Sequence, residues 1–322
     1  MNVIRKPGFW LPIVLIALLG LWPIVTGNAA NREVVNSILV SVALASSLNI
    51  LLGYTGYVSF GHIVFFGFGA YAGFYLMSEQ GWPIYTAMIV AGLVPAFLAF
   101  ILGSAILRLR GAYFALATIG INEAARSFVK NFDPLGGSVG MQLNFQIYND
   151  YGGAAQALWM TYYLLIAVTI AVLVVSYLVR FSKFGLGLLA IRENEDAAEV
   201  MGVIAPAAKT RAYVISAFFP GIVGLLFFFK NATILPGDAF RLHLSIETIV
   251  MVMLGGAGTV LGPVLGGAGY QRLRGTLLVT PLFRNIQLVV AGVLLLAIIL
   301  FIPAGIVGWL RDRVRGLRRV LE

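Results

Sequence analysis

The chain has 322 residues, 60% of them hydrophobic and 11% charged, with a mean hydropathy of +0.94. Soluble domains hold about 45–50% apolar and about 25% charged residues, so a water-soluble enzyme is set aside at the outset. Cysteine is absent, which removes disulfides, thiolate metal sites and Cys nucleophiles. The net charge of +9 comes from 22 basic against 13 acidic residues. It reads first as a membrane-topology signal. Nucleic-acid binding is the weaker reading, since the basic residues are scattered through short loops and the chain ends.

A helical crossing needs about 20 mostly apolar residues. The first run, 9–26, follows Arg5 and Lys6. It reads as an uncleaved first span, or as a signal peptide cut after Asn28-Ala29-Ala30; Asn28 is a poor residue three before a cut, which favours the span. Further runs follow at 34–52, 57–77 and 82–107, then a more polar helix at 112–130, then 157–179 and 212–229. The stretch 244–278 is too long for one crossing and divides at Gly255-Gly256-Ala257-Gly258; 286–303 comes last. The expected fold is an all-α polytopic membrane protein, about ten helices in one bundle and one membrane domain over 1–322. An even count puts both termini on the cytoplasmic side. Most basic residues then lie inside: Arg5 and Lys6, Arg108 and Arg110, five within 180–211, and Arg311, Arg313, Arg315, Arg318 and Arg319. Arg272, Arg274 and Arg284 fit this poorly, and a re-entrant segment over 254–275 is the alternative. The outer loop, 131–156, is rich in turn residues; the inner loop, 180–211, is the longest cytoplasmic connection.

Leu52-Gly53-Tyr54-Thr55-Gly56-Tyr57-Val58 and Leu254-Gly255-Gly256-Ala257-Gly258-Thr259-Val260 share the pattern L-G-x-x-G-x-V. Transporters are often built from internal repeats with glycine-interrupted helices in matching places, while chance matches come easily in so Leu-, Gly- and Val-rich a chain. The span after the first copy carries Ser59, Gly61 and His62. Its glycines permit close approach or a helix break, and a histidine at membrane depth faces the pathway or packs against a neighbouring carbonyl. In 112–130, Thr118 and Asn122 share one helix face and form a candidate polar stripe along a translocation path. Glu123 and Arg126, three apart, are read as an ion pair. Ser59, Gly61, His62, Thr118, Asn122, Gly255, Gly256 and Gly258 are the candidate pathway and helix-break residues.

The strongest functional signal is Arg192-Glu193-Asn194-Glu195-Asp196-Ala197-Ala198-Glu199-Val200-Met201-Gly202. Acids crowd its first turn, Gly202 can end it, and Ala197, Ala198, Val200 and Met201 give it a small apolar face. A short acidic helix is ill suited to anionic lipid and well suited to a groove on a soluble partner. The candidate docking residues are Arg192, Glu193, Asn194, Glu195, Asp196, Ala197, Ala198 and Gly202.

Asp196-Ala197-Ala198-x-x-x-Gly202 resembles the E-A-A-x-x-x-G loop of bacterial ABC importer permeases, with Asp in place of Glu. Gly53-Tyr54-Thr55-Gly56, Ser59-Phe60-Gly61-His62 and Phe65-Phe66-Gly67-x-Gly69-Ala70-Tyr71 are similar to LivM-type permeases. So are Arg110-Gly111-x-Tyr113-Phe114-Ala115, Ser182-Lys183-Phe184-Gly185 leading to Ala190-Ile191-Arg192, and Ser245-Ile246-Glu247 with Leu254-Gly255-Gly256-x-Gly258-Thr259-x-x-Gly262-Pro263. Arg272 and Arg274 depart from the pattern. The resemblance implies the permease subunit of an ATP-driven importer for branched-chain or other hydrophobic amino acids in a bacterial inner membrane. The implied partners are a second homologous permease, two ATPase subunits and a periplasmic binding protein. ATP and Mg would sit in the ATPases, this chain binding no cofactor or metal. A urea or amide permease is the alternative within the family, and an ion-coupled transporter the one outside it. No G-x-x-x-x-G-K-[ST] loop occurs in the chain, in keeping with outside energy. An intramembrane enzyme is the remotest reading, because His62 has no acidic or nucleophilic partner at useful spacing.

Overall fold

A computed structural model describes residues 7–279 and 305–313, with single positions 289, 292, 293 and 296. Apart from those single positions the expected span 286–303 lies outside the described residues, as do Arg5, Lys6, Arg284, Arg315, Arg318 and Arg319. The helices are α1 (Pro7–Thr26), α2 (Ala29–Thr55), α3 (His62–Glu79), α4 (Ile84–Ile106), α5 (Ala112–Lys130) and α6 (Ala154–Arg180). They continue as α7 (Lys183–Glu193), α8 (Glu195–Val200), α9 (Ala205–Asn231), α10 (Pro236–Ala239), α11 (Leu242–Gly255), α12 (Leu261–Val279) and α13 (Gly305–Arg313). Of these, α1, α2, α4, α6 and α9 are long and apolar enough to cross a membrane. Helices α3, α5, α11 and α12 are shorter or more polar and run beside them.

Helix α2 is the axis. Every residue from Ile38 to Thr55 is buried, and it packs on α6, α9, α11 and α12. Its small Ser and Ala residues let those neighbours come close. Helices α3, α4 and α9 lock together the same way: a Cβ on Gly69 would lie 2.2 Å from Gly221 Cα and 2.5 Å from the Ala91 carbonyl oxygen. Helices α1 and α4 turn large apolar side chains outward, Leu18, Trp22, Phe97 and Phe100 among them. Such faces suit hydrocarbon, where no helix gains from hiding them from water.

Two differences from the sequence reading concern helix starts and lengths. The run 57–77 becomes a helix only at His62, because Gly56 (φ 78°) ends α2 and residues 56–61 form a non-helical link with Tyr57, Ser59 and Gly61 buried. The stretch 244–278 divides at the glycines as expected. Glycine contacts set Gly255 against Gly262 and Gly266 against the Met251 carbonyl, so α11 and α12 form an antiparallel hairpin. The 14 residues of α11 span about 21 Å, short of a hydrocarbon core of about 30 Å. Arg274 has an acidic neighbour within this hairpin: its Nη1 lies 3.2 Å from Glu247 Oε2 on α11.

The two ends of the bundle differ. One carries α7 and α8. The other carries 3₁₀ turns within 133–151 and a two-residue antiparallel ribbon, β1 (Met141–Gln142) with β2 (Thr233–Ile234). The ribbon is a small addition to an otherwise helical architecture among the described residues.

Candidate functional site

The segment 183–204 forms two helices joined at Asn194. Ser182 caps α7 by accepting from Gly185 N at 3.0 Å, and Asn194 caps α8 by accepting from Ala197 N at 3.0 Å. Asn194 itself is extended (φ −160°, ψ 110°), so the expected single helix over 192–202 is broken there. Arg192 and Glu193 belong to the end of α7, and Glu195 and Asp196 to the first turn of α8. The helix closes as expected at Gly202 (φ 90°), with Val203 N donating to Ala198 O at 3.0 Å. That six-to-one bond with a left-handed glycine is the Schellman ending.

One correction concerns the apolar face. Ala198 is buried, packed into the core, and so is not part of the outward surface. The exposed face runs through Val200, Met201 and Ile204, which are 88%, 85% and 73% exposed. Ala197 is exposed with them.

Two polar clasps tie this element to the bundle. In the first, Arg192 Nη1 donates to Gly53 O at 2.7 Å. The α11–α12 turn sits at the same spot: a Cβ on Gly53 would fall 2.6 Å from Gly258 N, and one on Gly258 would fall 2.4 Å from Arg192 Nη1. Asn49 bridges the two stretches, accepting from Gly258 N at 2.9 Å and donating to Thr259 O at 2.9 Å. The two L-G-x-x-G-x-V segments therefore meet face to face beneath one guanidinium. Gly258 (φ 83°) has no alternative residue here, since any side chain would displace Arg192.

The second clasp is centred on Glu195. Lys209 of α9, only 1% exposed, donates to Glu195 Oε1 at 2.7 Å and to Tyr57 OH at 2.8 Å. Tyr57 OH donates to Glu195 Oε2 at 2.6 Å. Arg110, from the α4–α5 connection, adds Nε at 3.5 Å from Glu195 Oε1 and a 2.8 Å bond to Asp196. Burial alone would push the Glu195 carboxyl up; the hydrogen bonds from Lys209 and Tyr57 outweigh it and hold the group below the ordinary carboxylate range. Between the clasps lies a cavity of about 480 Å³ bordered by Gly56, Tyr57, Arg110, Ile191 and Glu195. Tyr57, Arg110 and Lys209 escaped the sequence reading as site residues. The available signal was Lys209 itself, a lysine one turn into a long and largely apolar helix.

The candidate pathway residues are placed differently from one another. Gly255, Gly256 and Gly258 adjoin the first clasp. Ser59 and Gly61 are buried in the turn before α3, where a Cβ on Gly61 would meet the Thr118 carbonyl oxygen at 2.8 Å. His62 is buried, its Nε2 3.1 Å from Ser47 Oγ and its ring edge-on to Phe65. Ser47 Oγ also lies 2.8 Å from Leu44 O, and His62 Nδ1 is buried without a hydrogen-bond partner; the neighbour found for the imidazole is a serine hydroxyl and not a helix carbonyl. Thr118 and Asn122 do share a face, and that face is buried. Thr118 Oγ1 accepts from Phe60 N at 3.1 Å, and Asn122 Nδ2 donates to Phe240 O at 3.1 Å. The stripe thus serves backbone groups of this chain, and the outward face of α5 carries Tyr113, Leu116 and Phe128. Glu123 and Arg126 pair on that outer side at 3.4 Å.

The family described as branched-chain amino acid transport system, permease component, matches residues 32–299. The chain belongs to this family. The permease is 25% identical over 342 residues to the high-affinity branched-chain amino acid transport system permease protein LivM of Salmonella typhimurium, covering 98% of this chain and 78% of the relative. It is likewise 25% identical over 331 residues to LivM of Escherichia coli, covering 94% and 76%. No solved structure matches the permease. It is a transport subunit of a multi-pass membrane system. The clasped loop element lies within the matched span.

Proposed function

We propose that the permease is the translocation subunit of an ATP-driven importer of branched-chain amino acids in the bacterial inner membrane, with both termini and α7–α8 cytoplasmic. Two separate ATPase subunits supply energy through α8, a second homologous permease completes the membrane unit, and a periplasmic binding protein delivers solute at the ribbon end. The chain forms a single transmembrane domain, and ATP with Mg is bound by the ATPases. The observation that carries this reading is the pairing of an outward apolar face, Val200, Met201 and Ile204, with an inward double clasp. A helix that is apolar outside the bundle invites a partner, and one wired to α2, α9 and the α11–α12 turn can pass that partner's movement into the membrane.

Because the chain has no cysteine, a Val200→Cys variant carries one unique thiol. Crosslinking from it in the purified complex should capture the ATPase, and leucine should stimulate ATP hydrolysis in the presence of the binding protein. Capture of lipid alone, or stimulation by urea and not leucine, would overturn the reading.

A further inference from the structure

A second cavity lies between α2, α3, α9, α11 and α12, with a volume of about 460 Å³, within the range of small-molecule sites. Its mouth is at Asn231, Leu235 and Arg241, all exposed, at the ribbon end. Its floor reaches Phe66, Glu247 and Gln271. The lining carries two acids, Asp238 and Glu247, and two arginines, Arg241 and Arg274, beside His243. The formal charges cancel.

These groups are incompletely matched to one another. Arg241 pairs with Asp238 near the mouth. Deeper, Glu247 is 2% exposed, its Oε1 accepting from Tyr270 OH at 3.2 Å. Its Oε2 lies 3.2 Å from Arg274 Nη1, and His243 Nε2 lies 3.5 Å from Oε1. Neither contact has hydrogen-bond geometry. Glu247 Oε2, Arg274 Nε and His243 Nε2 are buried without a hydrogen-bond partner. Buried polar atoms are normally satisfied, and ionisable groups at membrane depth line ligand or ion routes by default. The opposite wall is apolar: Phe66, Phe227, Phe228 and Leu244.

We infer that this cavity, within a single permease chain, is a way-station for one zwitterionic α-amino acid. The inference rests on the amino-acid import reading above. The carboxylate would be taken by Arg274 and the ammonium by Glu247, the ligand inserting its two charges between a misaligned pair. The aliphatic side chain would lie on the Phe66–Phe227–Phe228 wall. A neutral lining holding both signs favours a solute that is neutral overall yet doubly charged. It disfavours urea, which carries no charge to set against either group, and it disfavours simple anions or cations.

The test uses the complete importer in liposomes with its binding protein and a diazirine analogue of leucine as the probe. Irradiation during turnover should label the 227–247 segment, and excess leucine should suppress the label. Glu247→Gln and Arg274→Gln should each lower leucine uptake at least tenfold in assembled complexes. The double exchange Glu247→Arg with Arg274→Glu restores a salt bridge, so it should recover thermal stability but not uptake. Uptake without label on 227–247, or full uptake by the exchanged pair, would overturn the site while leaving the importer reading intact. A wild-type complex that imports no leucine would overturn that reading, and the site with it.

Discussion

Removing one charge of the Glu195–Lys209 pair gives the sharpest test of the coupling element. At 2.7 Å the pair's Coulomb attraction is about 6 kcal/mol at an effective dielectric constant of ~20, and desolvation offsets much of it. Stranding one partner of a buried pair costs about 3–5 kcal/mol. In Glu195→Gln, Lys209 stays sealed in α9 with only the Tyr57 hydroxyl and a neutral amide for company. Because Glu195 is 13% exposed, the lower end, about 3 kcal/mol, applies; that is about two orders of magnitude in the docked-to-undocked ratio of α8. Hydrogen exchange over 183–204 in the lipid-embedded complex should accelerate about 100-fold, and leucine imported per ATP hydrolysed should fall. The double variant Glu195→Gln with Lys209→Met removes the stranded charge and should regain part of the protection, giving a clear coupling energy in the cycle. Exchange within threefold of wild type for the single variant would refute the clasp as the element's anchor.

Three further outcomes follow from the geometry. Since Glu195 has a depressed folded-state pKa, its contribution is complete above its unfolded value of 4.5 and is lost as the pH falls through the folded value. Protection of α8 should thus stay flat from neutrality to about pH 5 and decline only in stronger acid; a decline near pH 7 would point to another group. Gly69→Val drives a side chain into the backbone of α9 and α4 and should destabilise the bundle by about 1–3 kcal/mol or more, read as a lower thermal midpoint in detergent. Gly202→Ala meets no neighbour yet must adopt φ near 90°. It should fray the end of α8 at a cost of about 1–2 kcal/mol, seen as faster exchange at 200–203 with the rest of the chain unchanged.

Much of the architecture was readable because hydrocarbon imposes long apolar runs, as in α1 and α4, and because Gly255–Gly258 punctuates an overlong one. The loop helix was readable from local chemistry, with acids in its first turn and Gly202 at its end. Its break at Asn194 was not, since one residue serves both as the stop of α7 and the cap of α8. Burial was harder still. Thr118 and Asn122 share a face by periodicity, but whether that face looks inward depends on where Phe60 and Phe240 place their backbone groups. Likewise, His62 looked mid-span until Gly56 and Gly61 were seen to hold a turn. Tyr57 is distant in the chain from Glu195 and Lys209, and only tertiary folding brings it to them. Arg274 stood out against the charge bias, and its neighbour Glu247 could not be read from the sequence because it lies across a helical hairpin.

The meeting of the two glycine turns under Arg192 has a mechanical corollary. A side chain seated on both cannot withdraw from the end of α2 without also uncovering the hairpin beside it. Two distant stretches of the bundle are thereby geared to one tooth, and a tug on the loop reaches both in the same instant. Such gearing favours abrupt switching between whole arrangements of the bundle over gradual loosening.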